Sequence, residues 1–370
     1  MKLRVPDYYD NFECIGSACA DSCCAGWEID VDDEAYRKYS SVKGLFGARL
    51  MSSISPSRPY HFIMDEGRCP FLNEKNLCDI YIHMGEESLC QICADHPRFY
   101  ESYGNREEAG LGLVCEEAAR LILTNKKKAG FIDKILDEGT EEEGPRSHML
   151  FLARDHMMLH LQERKQSLGK RLAQVLTEAS ILQEDVNRQD MKSMNLHIHK
   201  KWETKDGVQE PSSDLQGWFT GCFDFLRDLE ILTPEWKQIL TLASEKARKG
   251  SICFSVLDEI FYEQLMIYFV YRYFLRSVYD FQLLDKIRFA VFSCLAVRGL
   301  EAAVSGEEKF PSLEIARLYS KEIEYSEENM EAVNEEILFS DMFETRTLSD
   351  TASAVFGNLC FSNKTEVIYE

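Results

Sequence analysis

The sequence predicts a mainly α-helical protein, in which a cysteine-rich N-terminal domain of loops and short helices precedes an all-helical C-terminal domain. Two observations lead to this prediction. Nine of the 13 cysteines lie in the first 115 of the 370 residues, among turn-forming residues and short apolar runs. Beyond residue 148, apolar side chains recur at helical spacing almost throughout. We therefore expect domains over residues 1–137 and 148–370, joined by a linker at 138–145 that carries Gly, Glu and Pro.

The predicted elements of the N-terminal domain are short. Residues 14–27 are too irregular for a helix or a strand and are predicted to form a loop. Residues 32–39 are predicted as a helix whose acidic first turn suits the helix dipole. A second helix is predicted over 111–123, with Cys115 in its first turn. A small β-hairpin is expected near residues 60–64.

The C-terminal domain is predicted to be a series of helices. One long amphipathic helix is expected over 148–179 and another over 215–229. Pro234 stands at a position that favours the first turn of a third helix. One or two strongly apolar helices are expected over 253–300. The last segment, 301–370, carries 16 acidic and 5 basic residues, which is typical of solvated helical faces.

The overall charge excludes two classes of partner. The chain has 63 acidic and 42 basic residues, a formal net charge of −21 at pH 7. Nucleic acids and anionic membrane surfaces are bound by surplus Lys and Arg, so we expect neither as a partner. The most apolar stretch, 264–271, is far shorter than the ~20 residues of a membrane-spanning helix. No apolar segment follows the opening residues MKLRVPDYYD, so we expect a cytoplasmic protein with reduced cysteines.

The N-terminal cysteines form an ordered series that predicts a metal site. Thiolates repel one another and are costly to bury, so a set of this size needs a cation or a cluster to neutralise it. Adjacent Cys23 and Cys24 do not easily share one tetrahedral zinc ion, so one is expected to bind metal while the other faces a second metal or the core. The series comprises Cys14, Cys19, Cys23, Cys24, Cys69, Cys78, Cys90, Cys93 and Cys115.

An iron–sulfur cluster is favoured over zinc at this site. A cluster accepts ligands from loops that lie far apart in sequence. Zinc remains an alternative, although the paired spacing of zinc fingers occurs only at Cys90-x2-Cys93. The C-x3-C-x2-C signature of radical S-adenosylmethionine enzymes is missing, because Gly26 occupies the place of its third cysteine. Four further cysteines fall on apolar helical faces and are expected to be ordinary buried thiols: Cys222, Cys253, Cys294 and Cys360.

Several motifs resemble those of one protein family, the flagellin lysine N-methylases of FliB type. The apolar segment 268–274 resembles a second block of the same family, and the front half is similar to a wider group of cysteine-rich zinc- or iron-chelating domains. The motifs that carry the resemblance are Cys14-Ile-Gly-x2-Cys19-x3-Cys23-Cys24-x2-Trp27, Cys69-Pro-Phe-Leu72, Leu77-Cys78, Cys93-x3-Pro97-Arg98 and Cys115-Glu-Glu-Ala-Ala-Arg120.

The resemblance implies transfer of methyl groups from S-adenosylmethionine to lysine ε-amines of flagellin, by an enzyme that contains a [4Fe-4S] cluster. Cys90 departs from the family pattern, in which a residue other than Cys is expected. The alternative is a metal-chelating or metal-carrier protein, without methyltransferase activity, whose helical half docks a client. We assign as metal ligands Cys14, Cys19, Cys23, Cys24, Cys69, Cys78, Cys93 and Cys115.

The cofactor must sit where its sulfonium meets aromatic faces and carboxylates. We expect cofactor contacts from Trp27, Tyr268, Tyr271 and Arg272. Arg272 is a candidate because an Arg inside an apolar helix needs a carboxylate or solvent as a partner. The segment 110–112 is the nearest approach to a Gly-rich cofactor loop, but a tight turn explains it better. His96 is a candidate general base, although a lone His is more often structural, and no catalytic residue is assigned.

Overall fold

The computed structural model describes residues 2–104, 106–135, 144–200, 214–254, 258–305 and 310–357. The predicted fold class is confirmed, because helices dominate these ranges. Most of the predicted linker, residues 138–143, and Cys360 lie outside the described residues. The strands are β1 (Lys2–Pro6), β2 (Arg98–Tyr103), β3 (Arg106–Leu111) and β4 (Phe131–Ile135). The helices are α1 (Asp33–Ser41), α2 (Gly44–Ser52), α3 (Asp79–Met84), α4 (Gln91–Asp95), α5 (Glu116–Leu123), α6 (Pro145–Leu161), α7 (Leu168–Arg188), α8 (Met191–Ile198), α9 (Leu215–Asp228), α10 (Pro234–Arg248), α11 (Glu259–Tyr273), α12 (Ser277–Asp280), α13 (Leu283–Val304), α14 (Ser312–Tyr319), α15 (Glu327–Phe339) and α16 (Thr345–Phe356).

The N-terminal region contains a four-stranded sheet, and its structure differs from the sequence predictions in two places. Its strand order is β2-β3-β1-β4, with β1 parallel to β3 and the other pairs antiparallel. The helix predicted from residue 111 begins only at Glu116, because Leu111 is the last residue of β3 and Cys115 is the N-cap of α5. Near residues 60–64 there are isolated bridges, such as Ile54 with Phe62, instead of a regular hairpin.

Residues 24–93, here called the small lobe, surround a hydrophobic cluster of their own. Tyr39, Leu50 and Phe71 form its centre, each fully buried. The remaining core is continuous through α5 and the C-terminal helices, and it also includes Leu111 at the end of β3. The N-terminal region therefore contributes to both clusters, and the predicted domain boundary stays a prediction.

The C-terminal helices pack around α11 and α13, in which nearly every side chain is buried. The predicted start of α10 is confirmed, since the side chain of Thr233 accepts a hydrogen bond from Trp236 N before Pro234. The single helix predicted over 148–179 is instead two helices, α6 and α7. Arg164, in the turn between them, and Arg171 in α7 both donate to the buried carboxylate of Glu263, which fixes the turn in place.

Two further features of the described part follow from its sequence. Of the helices that the structure describes, none is both long and apolar enough to cross a membrane. The twelve cysteines in the described ranges are all free thiols. The N-terminal cysteines are therefore not held in disulfide bonds and are available for the metal binding predicted from the sequence.

Candidate functional site

An open cleft of about 1190 Å³ lies beside the small lobe. One side is built from residues 27–33 and 58–60, and another from 91–98 at and beyond α4. Tyr325 and Glu327, at the start of α15, complete the lining. The cleft therefore brings residues of the cysteine-rich region together with residues almost 300 positions later in the chain.

Aromatic rings form one wall of this cleft. The ring centroid of Trp27 lies 5.1 Å from that of His96 in an edge-to-face contact, and 5.7 Å from that of Tyr325. Trp27 Nε1 donates to Cys23 O at 2.8 Å, which holds the indole at the end of the cysteine loop. Aromatic faces attract cations through the ring quadrupole, so this wall suits an ammonium or a sulfonium group.

Burial lowers the pKa of His96 to about 4. The imidazole is therefore neutral at neutral pH and adds no positive charge to the wall. A base with so low a pKa holds a proton weakly. The position of His96 is better explained by packing against Trp27 than by the general-base role considered from the sequence.

Carboxylates are abundant around the cleft, and some already have structural partners. Asp32 caps α1 and also accepts from Gln91 N at 2.8 Å, which ties α1 to α4. Asp33 lies 2.8 Å from the guanidinium of Arg58. These two carboxylates stabilise the small lobe and are less available to a ligand.

Three other carboxylates of the lining form no ion pair with any described residue: Asp30, Asp95 and Glu327. Asp95 accepts a hydrogen bond from the amide of Gln91 at 2.7 Å, which leaves its charge uncompensated. Unpaired carboxylates in a cleft concentrate the local negative potential. The cleft is therefore an attractive site for a cationic ligand.

A buried polar network lies behind the aromatic wall. The guanidinium of Arg272 lies 5.3 Å from the ring centroid of Tyr325, and its Nη1 donates to Tyr268 Oη at 2.6 Å. The fully buried carboxylate of Glu324 lies 3.4 Å from Arg272 and accepts from both Tyr268 and Tyr273. The opposite charge of Glu324 compensates the cost of burying Arg272.

Gly112 allows this network to approach the backbone. A Cβ atom at this position would lie 2.1 Å from Tyr325 Oη and 3.2 Å from Arg272 Nη1. Gly110 lies in β3, and the tight turn predicted before α5 begins at Gly112, whose carbonyl oxygen accepts from Cys115 N at 3.3 Å. Glycine is required at position 112 because the side chains of Tyr325 and Arg272 come too close to leave room for a Cβ atom.

The four predicted cofactor residues occupy different surroundings. Trp27 lines the cleft, whereas Tyr268 and Arg272 are buried behind Tyr325. Tyr271 is also buried, and its hydroxyl donates to Arg4 O at 2.8 Å between strands of the sheet. A cofactor contact from any of the four stays a prediction.

Tyr325 is a cleft residue that sequence reasoning missed. It follows a π-helical turn at Ser320–Glu324 and precedes the N-cap of α15. Such turns are frequent at functional sites, but they have no recognisable sequence pattern. Its contact with Trp27 is therefore visible only in the folded chain.

The thiols are close to one another but do not converge on a point. Within the described ranges, no three Cys, His, Asp or Glu side chains are placed so that they could hold a single metal ion. Burial raises the pKa of both Cys19 and Cys69 to about 12, so both thiols are protonated at neutral pH. The donor chemistry of the thiols suits a thiophilic metal, and an iron–sulfur cluster or a zinc ion at these residues stays a prediction.

Comparisons with known proteins agree with the resemblance. The profile described as "FliB lysine N-methylase C-terminal domain" matches residues 154–349. A lysine-N-methylase of Salmonella choleraesuis is 28% identical over 160 residues, which cover 39% of this chain and 38% of that protein. A lysine-N-methylase of Salmonella typhimurium matches to the same extent. The flagellar biosynthetic protein FliU of Salmonella muenchen is 30% identical over 133 residues, 34% of this chain and 79% of that protein.

The chain spans 38% of the length of the two curated lysine-N-methylases that it matches. No solved structure matches it. The matched residues 154–349 nevertheless include most of the C-terminal helices and make up more than half of the chain. This chain belongs to the FliB lysine N-methylase C-terminal domain family.

Proposed function

We propose that this chain is a protein-lysine N-methyltransferase that uses S-adenosylmethionine. Family membership and the printed names of two relatives support transfer to lysine. The observation that carries the proposal is the cleft, in which the aromatic wall of Trp27 and Tyr325 faces uncompensated carboxylates. Both the sulfonium of the cofactor and the ammonium of a lysine are cations that this surface attracts.

The residues of the cleft would act mainly by positioning. Asp30, Asp95 and Glu327 attract the charged lysine to the cleft. The nucleophile is the neutral amine, so the lysine releases a proton to solvent before transfer, and the loss of water beside Trp27 and Tyr325 favours that release, whereas the carboxylates oppose it. S-adenosylmethionine, when bound, supplies an electrophilic methyl group. The amine nitrogen forms the new bond to carbon as the sulfur–carbon bond breaks, and in-line alignment lowers the barrier.

We further propose a [4Fe-4S] cluster held by the N-terminal thiols, with zinc as the competitor. When bound, the cluster supplies a redox-active centre and fixes the loop that carries Trp27. We also propose flagellin as the lysine-bearing substrate, since one relative is named a flagellar biosynthetic protein. A cytoplasmic location follows as part of the same proposal, because a reducing compartment keeps such thiols free.

The test is a methylation assay on protein purified and kept without oxygen. The metal-loaded chain is incubated with S-adenosylmethionine and flagellin, and lysine-containing peptides are examined by mass spectrometry. We expect methyl increments on lysines that require the bound metal. Absence of transfer to flagellin or to any lysine-rich protein, with metal retained, would contradict the proposal and favour the metal carrier.

A matched pair of variants tests the role of the cleft. Glu327→Gln removes one uncompensated charge of the lining, while Glu331→Gln removes an exposed charge of the same helix outside the cleft. We expect the first to raise the KM for flagellin severalfold, with a weaker salt dependence, and the second to leave KM unchanged. Equal effects of the two variants would exclude the cleft as the place where lysine enters.

A further inference from the structure

We propose that Arg98 and Asp95 bind the amino-acid head group of S-adenosylmethionine, Arg98 its carboxylate and Asp95 its ammonium group. This inference rests on the proposed function, because it assigns residues to the cofactor of that reaction. Both residues line the cleft. Asp95 is the last residue of α4 and Arg98 is the first residue of β2, so only a short segment separates them.

The charges of the cleft are unequal. Its described lining carries six carboxylates and two guanidinium groups. The guanidinium of Arg58 lies 2.8 Å from Asp33, whereas Arg98 forms no ion pair with any described residue and is the uncompensated cation of this lining. The pattern suits a ligand with a net positive charge and one anionic group. S-adenosylmethionine is such a ligand, since it combines a sulfonium, an ammonium and a carboxylate.

Packing holds the half-buried side chain of Arg98 in place. Its guanidinium carbon lies 5.2 Å from the ring centroid of Phe12 and 5.9 Å from that of Tyr9. The backbone before it is fixed as well, because Gly112 N donates to Pro97 O at 2.8 Å. A guanidinium group binds a carboxylate through two parallel hydrogen bonds, and a side chain that is already ordered loses little entropy on binding. Arg98 is therefore preorganised to bind a carboxylate.

Asp95 supplies the complementary charge. Its Oδ2 accepts from Gln91 Nε2 at 2.7 Å, which orients the carboxylate, and its Oδ1 has no hydrogen-bond partner among the described residues. Asp95 and Arg98 form no ion pair with each other, so both charges are available to a ligand. The ammonium and the carboxylate of an amino acid are attached to one carbon atom. Their recognition needs an anionic and a cationic side chain close together, which this segment provides.

The same segment contacts the aromatic wall. His96, between the two proposed head-group residues, has its ring centroid 5.1 Å from that of Trp27. In S-adenosylmethionine, two methylene groups separate the sulfonium from the carbon that bears the ammonium and the carboxylate. A head group held at Asp95 and Arg98 therefore directs the sulfonium towards Trp27, whose ring attracts cations. The other two uncompensated carboxylates of the lining then remain to attract the lysine.

The test is isothermal titration of the anaerobic full chain with two probes, S-adenosylmethionine and its decarboxylated form, which lacks only the carboxylate. We expect wild type to bind S-adenosylmethionine about tenfold more tightly than the decarboxylated probe. Arg98→Gln should bind the two probes equally. Arg98→Lys, which keeps the charge but lacks the planar guanidinium, should retain part of the preference. Asp95→Asn should weaken both probes to the same extent, since both retain the ammonium group.

Arg58→Gln is the matched control, because Arg58 lines the same cleft but is paired with Asp33, and it should keep the preference of wild type. The preference is a ratio of two affinities of one preparation, so partial unfolding of a variant does not change it. Equal affinities of wild type for the two probes, or an unchanged preference in Arg98→Gln, would overturn the inference while the proposed function stands. Wild type that binds neither probe would contradict the proposed function as well.

Discussion

Asp21 and Arg317 form an ion pair of 2.7 Å between positions that are 296 residues apart in the chain. Lys321 Nζ contacts the same carboxylate oxygen at 2.8 Å. The Arg317 side chain is only 4% exposed and is also held by Glu314, so its position is well defined. These contacts tie the cysteine loop to α14 and hold Trp27 against Tyr325, which follows a few residues later.

We expect Asp21→Asn to loosen the cysteine loop. The substitution removes the charge that Arg317 and Lys321 share, and a charged hydrogen bond of this kind contributes about 1–2 kcal/mol when partly exposed. The loop should become more sensitive to limited proteolysis between residues 14 and 27. Glu184→Gln, which breaks an exposed ion pair with Arg188 within α7, is the control. It should change neither the stability nor the sensitivity of the loop to proteolysis. Equal proteolysis of both variants would contradict the proposed anchor.

The same contacts predict a loss of stability in acid. Burial acts to raise the pKa of Asp21, but Lys321 and Arg317 outweigh it and the pKa is lowered from 3.8. The stabilisation is therefore fully present above the unfolded-state pKa and disappears as pH falls through the lower folded-state value. The difference in unfolding free energy between wild type and Asp21→Asn should be constant near neutrality and shrink below about pH 4. A difference independent of pH down to strong acid would be incompatible with this cause.

Gly112→Ala should displace the aromatic wall. The added methyl would overlap Tyr325 Oη, so the ring must move away from Trp27. We expect a destabilisation of about 1–3 kcal/mol and a severalfold loss of lysine methylation. Gly221→Ala, in α9 where a Cβ meets nothing, should instead stabilise the chain by about 0.5–1 kcal/mol. Thermal unfolding of both variants measures the contrast, and a neutral Gly112→Ala would show that the wall adapts.

A double-mutant cycle tests the buried network. Arg272→Met leaves the fully buried Glu324 without its cation, and we expect a loss of about 3–5 kcal/mol. Adding Glu324→Gln removes the uncompensated charge and should restore part of that loss. The free energies of unfolding of the two single variants and the double variant give the coupling. Additive effects would mean that Arg272 is stabilised by something other than Glu324.

Trp27→Ala tests whether the aromatic wall binds the cofactor. Loss of the indole face should weaken binding of S-adenosylmethionine severalfold, while Trp27→Phe, which keeps an aromatic face, should retain part of the affinity. Phe339→Ala removes an exposed aromatic ring outside the cleft and should have no effect. Isothermal titration of the cofactor into anaerobic protein measures the affinities. An unchanged affinity in Trp27→Ala would place the cofactor elsewhere.

Local patterns were sufficient for elements whose signals lie within a few residues. The acidic first turn predicted α1, and Pro234 predicted the start of α10, because caps and first turns act over one helical turn. The boundary of α5 was missed because Leu111 pairs in β3 with residues of another segment. The turn that separates α6 from α7 was also missed, since its Arg164 is held by Glu263, which lies 99 positions away.

The sequence by itself determined the helical fold class, the family and the prediction of thiol-bound metal, because periodicity, motif order and thiolate repulsion do not depend on the tertiary arrangement. Only the tertiary structure brought Tyr325 to Trp27 and drew the loop before Cys23 to the start of α5. These contacts join segments separated by about 100 to 300 positions. Their formation depends on strand pairing and helix packing, which are cooperative properties of the whole chain and have no local signature.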